Sequence, residues 1–548
     1  MRVSKRAGAV AITAAVALIA AGCSGGDDKG GGGSSSDATA NGSITIWGSQ
    51  PENSLIPANT TETGGGRVVD YMWTGLVRYP NDGGAPVNAL ADSIKTTDSK
   101  TYEIKIKPNT KFHDGTIVKA ENFVKAWNFD ALVTNNMANA SFFSDIQGYN
   151  DVNPAPPSGS DKAPAPKAQE MSGLKVVDDN TFTVTLNAPF SIFPTKLGYS
   201  AFMPLPDVFF TQKPEVFGRK PIGNGPVKFV SWVDNQDIKL TRFDDYTLDD
   251  KVKIKDVDIK IYDQDTAAYD DLVSGSLDFQ QQLPVSALAG DKYKTDLGDR
   301  GHNSPIPASG IISFPIYDKR FQNADLRRAV SLAIDRKSIT DKIFFGNRKP
   351  ADSWSNPLSP GNNPGDCTVC KFDPAAAKAA LQKAGGFKGD MIFYYNADAS
   401  HKDWMEAVAN SVKNTLGISA RAEGIPTFAV FRQQIDAHSM KGPYRAAWQQ
   451  DYPDVEDWIG PLYVTGGSSN DGLYTNPQVD ALYKQATAAA DVNAAHAKFA
   501  EATKIIDQDV PAIPIYFYEG QSGTSQRLAK AVVDNVGELD LSSVELAS

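Results

Sequence analysis

Hydrophobic and polar residues alternate in several short segments of the chain, and this period of two predicts half-buried β-strands. The segments are residues 43–47, 102–106, 182–186 and 257–261, and a further strand is predicted at residues 227–230, directly after a glycine-containing turn. A period close to 3.6 predicts a helix over residues 120–130, where Phe123 and Trp127 lie four residues apart. The same period predicts two consecutive helices over residues 323–345, the second of them capped by Asp335. Strands and helices that interleave without internal repeats indicate mixed α/β domains.

Length and charge narrow the class of protein. A chain of 548 residues is too long for a single hydrophobic core, so we expect roughly two to four domains. A hydrophobic content of 41% is typical of a folded globular protein rather than a disordered one. The net charge of −11 argues against a nucleic-acid partner.

The amino terminus has the pattern of an export signal. Basic residues precede an apolar stretch at residues 9–21, which is shorter than the roughly 20 residues that a permanent membrane span needs. The sequence around Cys23 resembles a bacterial lipobox, in which the cysteine is diacylated and becomes the new first residue. We therefore predict a signal peptide at residues 1–22 and a lipid-anchored, Gly/Ser-rich tether at residues 23–42. Ordinary signal cleavage with an incidental cysteine is the alternative.

Cys367 and Cys370 form a Cys-x-x-Cys pair, which could be a redox pair, half of a zinc site or a local disulfide. The pair follows a turn-rich loop at residues 360–365 rather than opening a helix after a strand, which argues against the redox pair. A second Cys-x-x-Cys that would complete a zinc site does not occur in the sequence. Outside the membrane, a small structural disulfide is the best interpretation.

The strongest functional signal lies at residues 444–454. Arg445 stands three residues before Trp448, and Asp451 stands three residues after it. This arrangement suits a zwitterion, because Asp451 can hold an ammonium group and Arg445 a carboxylate, with the tryptophan between them. A buried carboxylate needs a partner from the protein or from a ligand. A surface turn with scattered charges is the alternative interpretation.

Residues 444–454 resemble the ligand-contacting segment of the family 5 extracellular solute-binding proteins, the peptide-binding lipoproteins of ABC importers. Other segments resemble further signatures of this family, in the family's order along the chain. These segments are residues 111–123, 222–227, 323–336, 476–482 and 511–518. Their common order, more than any one of them, carries the resemblance.

Two of these segments lead to structural rather than chemical predictions. In the first, His113 is expected to support a turn and the start of a helix. In the second, Gly223 and Gly225 are expected to allow a tight turn into the following strand, since no Gly-Lys-Ser/Thr completes a phosphate loop.

The resemblance implies roles for individual residues. In the oligopeptide branch, the aspartate of a Trp-x-x-Asp motif holds the peptide's amino terminus, and an arginine three residues before the tryptophan can meet a peptide carboxylate. Asp451, Trp448 and Arg445 match these positions one by one. Tyr518 matches a tyrosine that touches bound peptide, although simple packing in a buried strand is an open alternative. Many oligopeptide binders carry a cysteine directly after the tryptophan, and this cysteine forms a disulfide. The residue here is Gln449, so that disulfide is absent.

The family's architecture implies an α/β, two-lobed fold of the periplasmic-binding-protein type, with a hinge and an additional inserted domain. The ligand then binds at the interface of the lobes, where a pocket is expected. The predicted divisions are a discontinuous lobe I at residues 43–63, 221–308 and 509–548, an inserted domain II at residues 64–220, and a lobe III at residues 309–508.

The resemblance further implies a substrate-binding lipoprotein that captures extracellular oligopeptides and delivers them to a membrane permease. The expected partners are a peptide, the transmembrane subunits of an ABC permease, and the membrane through a lipid anchor. The protein is expected to act outside the cytoplasm as a monomer, without cofactor or metal. The same fold with nickel, haem or a sugar as its ligand is an alternative, as is a peptide-sensing lipoprotein.

The sequence contains no recognisable enzyme motif. Its five histidines form no His-Glu-x-x-His pattern, and neither a Gly-x-Ser-x-Gly elbow nor a phosphate loop occurs. We therefore predict a binding protein. An extracellular hydrolase of peptides or glycans is the alternative from another class, since a pair of catalytic carboxylates has no sequence motif of its own.

Overall fold

The computed structural model describes residues 42–81, 85–155, 163–262, 264–397, 400–426 and 428–547. The predicted signal peptide, the lipidation site Cys23 and the tether up to residue 41 lie outside the described residues. Helices and strands alternate throughout the described part, which confirms the predicted α/β class.

The strands belong to three small sheets and one large sheet. In chain order they are β1 (Ser43–Gly48), β2 (Val77–Arg78), β3 (Val87–Asn88), β4 (Ala91–Lys95), β5 (Thr101–Ile106), β6 (Leu174–Asp178), β7 (Thr181–Thr185), β8 (Val227–Val233), β9 (Asp237–Arg242), β10 (Asp256–Ile261), β11 (Phe279–Gln280), β12 (Gly301–Ser313), β13 (Arg348–Pro350), β14 (Met391–Asn396), β15 (Ala420–Ile425), β16 (Tyr444–Gln449), β17 (Ala512–Thr524), β18 (Leu528–Val533) and β19 (Leu539–Leu546).

The α-helices range from single turns to five turns. In chain order they are α1 (Thr63–Met72), α2 (Ala120–Ala131), α3 (Tyr149–Val152), α4 (Phe193–Lys196), α5 (Pro214–Arg219), α6 (Asp265–Ser274), α7 (Val285–Leu288), α8 (Lys292–Leu297), α9 (Ala324–Leu332), α10 (Arg336–Lys342), α11 (Pro374–Lys383), α12 (Lys402–Leu416), α13 (Phe428–Asp436), α14 (Glu456–Tyr463), α15 (Pro477–Thr487) and α16 (Val492–Asp509).

Two long antiparallel strands, β12 and β17, join the two halves of the molecule. The large sheet has the order β15-β14-β16-β12-β17-β11-β1-β10-β9-β8, with β13 paired to β17 outside this path. On one side of the β12–β17 pair lie the strands of the amino-terminal part of the chain, and on the other side lie β14, β15 and β16. This arrangement is the predicted two-lobed architecture.

A separate four-stranded sheet, in the order β4-β5-β7-β6, lies within the range predicted for the inserted domain. Its core contains the helical face that the sequence predicted. The ring of Phe123 lies 5.6 Å and that of Trp127 5.5 Å from the ring of Phe182 on β7, measured between centroids. The exact domain boundaries stay predictions.

The helical pair predicted over residues 323–345 forms as α9 and α10, and capping residues set where each helix begins. Asn323 accepts a hydrogen bond from the backbone N–H of Asp325 at 2.9 Å. Asp335 accepts one from the N–H of Ser338 at 3.0 Å. Each cap satisfies a donor that the first helical turn leaves without a partner, which confirms the predicted cap at Asp335.

His113 is structural, as its segment suggested. Its Nδ1 accepts from the N–H of Gly223 at 3.1 Å, and its Nε2 lies 3.1 Å from the carbonyl oxygen of Gly225. Burial lowers the pKa of His113 to about 4, so the imidazole is neutral near pH 7. Glycine is needed here because the backbone of Met72 lies close by: a Cβ on Gly223 would stand 2.0 Å from the Met72 carbonyl oxygen.

Candidate functional site

The predicted ligand-binding segment follows an interior strand of the large sheet. β16 pairs antiparallel with β12 over its whole length and touches β14 at its beginning. Arg445 and Trp448 lie on this strand, and Asp451 lies in the loop that follows. The loop is buried from Tyr452 to the start of α14, whereas Asp451 itself is half-buried. The pairing with β12 therefore fixes the backbone of Arg445 and Trp448, and Asp451 lies in the loop two residues beyond the end of the strand.

Asp457, at the start of α14, organises this loop. Its Oδ2 accepts a hydrogen bond from the backbone N–H of Asp451 at 2.8 Å and one from Trp448 Nε1 at 3.3 Å. Burial and the negative charge of Asp451 raise the pKa of the Asp457 carboxyl group. The site thus contains two neighbouring carboxyl groups, of which the sequence predicted only one.

Asp451 lies within electrostatic range of residues in the part of the chain predicted for the inserted domain. Burial raises the pKa of Asp451 to about 7, and the positive charge of Lys196 opposes this rise. Burial and the charge of Asp451 also raise the pKa of Tyr199. Burial and the charges of Asp457 and Asp451 do the same for Tyr79. The aspartate therefore lies where the two parts of the molecule meet.

Lys196 brings the only positive charge that lowers the pKa of Asp451 among the described residues. Its Nζ lies 2.6 Å from Asp145 Oδ2, and its side chain is buried. Burial alone would lower the pKa of this lysine, but the charges of Asp145 and Glu456 outweigh burial and raise it. The lysine is thus held by its own aspartate and only partly offsets the negative charge around Asp451.

Arg445 lines a cavity together with Trp448, at the opposite end of the segment from Asp451. Its Nε donates to Asn396 Oδ1 at 2.7 Å. Its guanidinium carbon lies 5.2 Å from the ring centroid of Phe428 and 5.4 Å from that of Phe431, within the range of cation–π attraction. The structure thus places Arg445 and Trp448 in the lining of one cavity, whereas Asp451, in the loop after the strand, does not line it.

Tyr518 lies elsewhere on the central sheet. The guanidinium carbon of Arg348 stands 4.7 Å from its ring centroid. Its hydroxyl accepts a hydrogen bond from that of Tyr516 at 3.4 Å. Tyr518 does not line the cavity that Arg445 and Trp448 share. A contact between Tyr518 and a ligand stays a prediction.

Cys367 and Cys370 are joined by a disulfide, with their Cα atoms 5.3 Å apart. The bridge closes a tight loop that Asp507 of α16 holds, because Asp507 Oδ1 accepts from the N–H of Thr368 at 2.8 Å. No cluster of three or more His, Cys, Asp or Glu side chains suited to a metal ion occurs in the part of the chain that the structure describes.

Two residues of the site were missed by the sequence analysis. A role for Asp457 in the site was not predicted, because acidic residues are common in the first turn of a helix, where they interact favourably with the helix dipole. Lys196 was hidden because it lies far from Asp451 in the sequence. A run of three carboxylates within four residues, Asp454, Glu456 and Asp457, was the signal that could have drawn attention to the loop.

The protein has two lobes joined by the long strands β12 and β17. A charged and aromatic site lies where the parts of the molecule meet. These features are those of a bilobed solute-binding protein. Residues 85–470, more than half of the chain, match the bacterial extracellular solute-binding proteins, family 5 middle region. The chain belongs to this family.

Known proteins support the assignment along nearly the whole chain. The oligopeptide-binding protein OppA of Bacillus subtilis (strain 168) is 26% identical over 505 residues, which cover 89% of each chain. The Escherichia coli murein tripeptide binding protein MppA has the same fold, with a TM-score of 0.75 at 22% identity over 93% of this chain and 99% of its own. Haemophilus influenzae OppA, solved in complex with RPPGFSPFR, gives a TM-score of 0.74 at 21% identity, covering 93% of this chain and 99% of its own.

Membership of this family establishes the general class of the protein and the side of the membrane on which it acts. The chain is a non-enzymatic solute-binding component of a transport system, and it acts outside the cytoplasm, as its extracellular family does. Within the described ranges, no helix combines the length and apolar character that a bilayer crossing requires.

Proposed function

We propose that this protein captures short peptides between its lobes and delivers them to an ABC permease. The observation that carries the proposal is the carboxylate of Asp451. It is half-buried where the parts of the molecule meet, and no side-chain or backbone donor among the described residues hydrogen-bonds to it. A carboxylate in such surroundings gains most from a cationic ligand group, for which a peptide's α-ammonium is well suited.

The second charged residue of the segment supports a zwitterionic ligand over a sugar or a metal ion. Arg445 lies on the same strand as Trp448, at the far end of the segment from Asp451. An extended ligand that follows this segment would meet an anionic group, Asp451, at one end and a cationic group, Arg445, at the other. The relatives' names include oligopeptide-, dipeptide- and murein peptide-binding proteins. A free peptide carries both charges in the required order.

Ligands retained by the protein after purification under native conditions test this proposal. Mass spectrometry of the released material should find short peptides with free amino termini. Recovery of nickel, haem or a sugar in stoichiometric amount, with no peptide, would contradict the proposal. Acid hydrolysis and amino-acid analysis of the same sample give an independent count of peptide per protein.

Anchoring to the membrane through Cys23 is part of the proposed function. Diacylation supplies two acyl chains, which is what stable anchoring of a soluble domain requires. We expect Cys23→Ala to move the protein from the membrane fraction to the soluble extracytoplasmic fraction. Ser35→Ala, in the same tether, should leave the distribution unchanged. Equal membrane association of the Cys23→Ala variant would refute the lipid anchor.

The pKa of Asp451 predicts how affinity depends on pH. Because this pKa is raised from 3.8 to about 7, the empty site holds a proton at lower pH, and the ligand's ammonium must displace it. Affinity for an unblocked peptide should therefore fall as pH decreases through 7, by about 50-fold between pH 7 and pH 5 if one proton is displaced. The peptide's own ammonium, with a pKa of about 8, stays charged in this range.

Titration calorimetry at pH 5, 6, 7 and 8 measures this dependence. The Asp451→Asn variant should show a much flatter profile, because asparagine does not titrate. Affinity that is constant from pH 5 to pH 7 in the wild type would show that Asp451 is already ionised in the empty protein.

A further inference from the structure

Next to the Asp451 site, β16 and α13 enclose a cavity of about 150 Å³. Its walls are largely apolar, with Phe428, Phe431 and Ile435 contributed by α13 and Leu462 by α14. Trp448 also lines it, while the indole Nε1 of the same residue donates to Asp457. One tryptophan therefore belongs both to the proposed ammonium site and to the cavity.

The side chains of Arg432, Asp471 and Asn470 at the edge of this cavity already have partners within the protein. Arg432 forms an ion pair with Asp471 at 2.8 Å and a second one with Asp436 at 2.6 Å. The side-chain amide of Asn470 donates to two backbone carbonyls, and its oxygen accepts from the N–H of Tyr474. A polar or charged occupant would have to compete with these partners. The hydroxyl of Tyr463, which also lines the cavity, has no hydrogen-bond partner among the described residues, and the rest of the surface left to an occupant is mainly hydrocarbon.

The volume of the cavity matches an aromatic ring. An apolar cavity of about 150 Å³, lined by aliphatic and aromatic side chains, is large enough to bind benzene. Phe428 and Phe431 offer ring edges and faces to a further ring, and aromatic pairs are favoured beyond the area that they bury. The guanidinium of Arg445, which already lies over these two rings, adds a cation–π partner.

We propose that this cavity receives an aromatic side chain of the bound peptide, so that the protein prefers peptides with a phenylalanine-like residue at one position. This inference rests on the proposed function, because it needs a peptide whose ammonium lies at Asp451. Trp448 separates the cavity from the proposed ammonium site at Asp451. The aromatic ring in the cavity would therefore belong to the second or third residue of the peptide, not to its first.

Titration calorimetry with trialanine and with the three tripeptides that carry phenylalanine at position 1, 2 or 3 tests the proposal. We expect one of the phenylalanine peptides, with the ring at position 2 or 3, to bind at least tenfold more tightly than trialanine. Leucine or lysine at the same position should give a smaller gain. In the Ile435→Trp variant, which fills the cavity, the phenylalanine peptide and trialanine should bind with equal affinity.

The outcomes separate this inference from the proposed function. If neither trialanine nor any phenylalanine peptide binds, the peptide-binding function fails. If trialanine binds and phenylalanine gives no gain at any position, the cavity does not select aromatic residues. A larger gain from lysine or leucine than from phenylalanine would also overturn the proposal. If Ile435→Trp does not fold, the wild-type comparison among the four peptides still decides the matter.

Discussion

Replacing Asp451 with asparagine should weaken the binding of an unblocked peptide by about 30-fold or more. Surface ion pairs contribute only about 0 to 1 kcal/mol, whereas truncating one partner of a buried charged pair typically costs about 2 to 5 kcal/mol. Each 1.4 kcal/mol corresponds to about tenfold in affinity. Asparagine keeps the shape of Asp451 and its backbone hydrogen bond to Asp457, so the loss reports the charge. Asp403→Asn, on the exposed surface of α12, is the matched control.

The stability of the empty protein should not fall in this variant. The pKa of Asp451 is raised from 3.8 to about 7 in the folded protein, so this group costs stability that grows as the pH rises above 3.8 and is complete above about pH 7. Asparagine removes that cost. Thermal unfolding of the unliganded variant at pH 8 should therefore occur at the same temperature as in the wild type or slightly higher. A large decrease would mean that Asp451 serves folding instead of binding.

A blocked ligand turns this prediction into a double-mutant cycle. Acetylation of the peptide's amino terminus removes the ammonium group, and the wild type should lose about as much affinity as Asp451→Asn does. In the variant, acetylation should cause little further loss, because the partner of the ammonium is already gone. If the two losses add in full, Asp451 does not contact the ammonium.

Replacing Asp278 with alanine should destabilise the fold by about 2 to 5 kcal/mol, because it leaves the N–H of Thr45 and the buried hydroxyl of Ser525 without their acceptor, at about 1 to 3 kcal/mol each. Asp278 is fully buried. It accepts hydrogen bonds from the N–H of Thr45 at 2.9 Å, from Ser525 Oγ at 2.6 Å and from Arg527 at 2.9 Å. The donors lie near residue 45 and near residues 525–527, so one carboxylate connects three segments that are distant in the sequence.

Urea unfolding followed by tryptophan fluorescence measures this effect as a shift of the midpoint. Asp270→Ala removes an exposed aspartate from α6, the helix that precedes Asp278, and should leave the midpoint within error of the wild type. An unchanged midpoint in Asp278→Ala would show that the network around this residue contributes no net stability. Ligand affinity of the refolded variant should be normal, since Asp278 lies away from the proposed site.

The local structure of this protein followed from local patterns. Residues 43–47 form a strand because alternate side chains must enter the core, and this requirement is visible in any short window of sequence. Asp335 caps α10 because a helix start needs an acceptor for its free N–H groups, wherever the helix lies. The binding segment was also visible, because Arg445, Trp448 and Asp451 are near neighbours on one strand and the loop after it.

The same local patterns could not predict which charged residues lie near Asp451 and change its pKa. Lys196 and Asp451 are far apart in the sequence, and only the packing of the inserted domain's range against the loop after β16 brings their charges within reach of each other. Asp457 has the sequence context of an ordinary helix start. Its role as acceptor for both Asp451 and Trp448 depends on how that loop folds back.

The sequence by itself thus determined the class of fold, the positions of five strands and three helices, and the segment that presents the charged and aromatic residues. The tertiary structure alone decided which distant residues share that site, that Tyr518 lies beside Arg348, and that a ring-sized cavity adjoins Trp448. The physical reason is the distance along the sequence between the residues that interact. Periodicity, capping and turn formation depend on residues a few positions apart, whereas burial, pKa and cavity volume depend on every segment that the fold brings near.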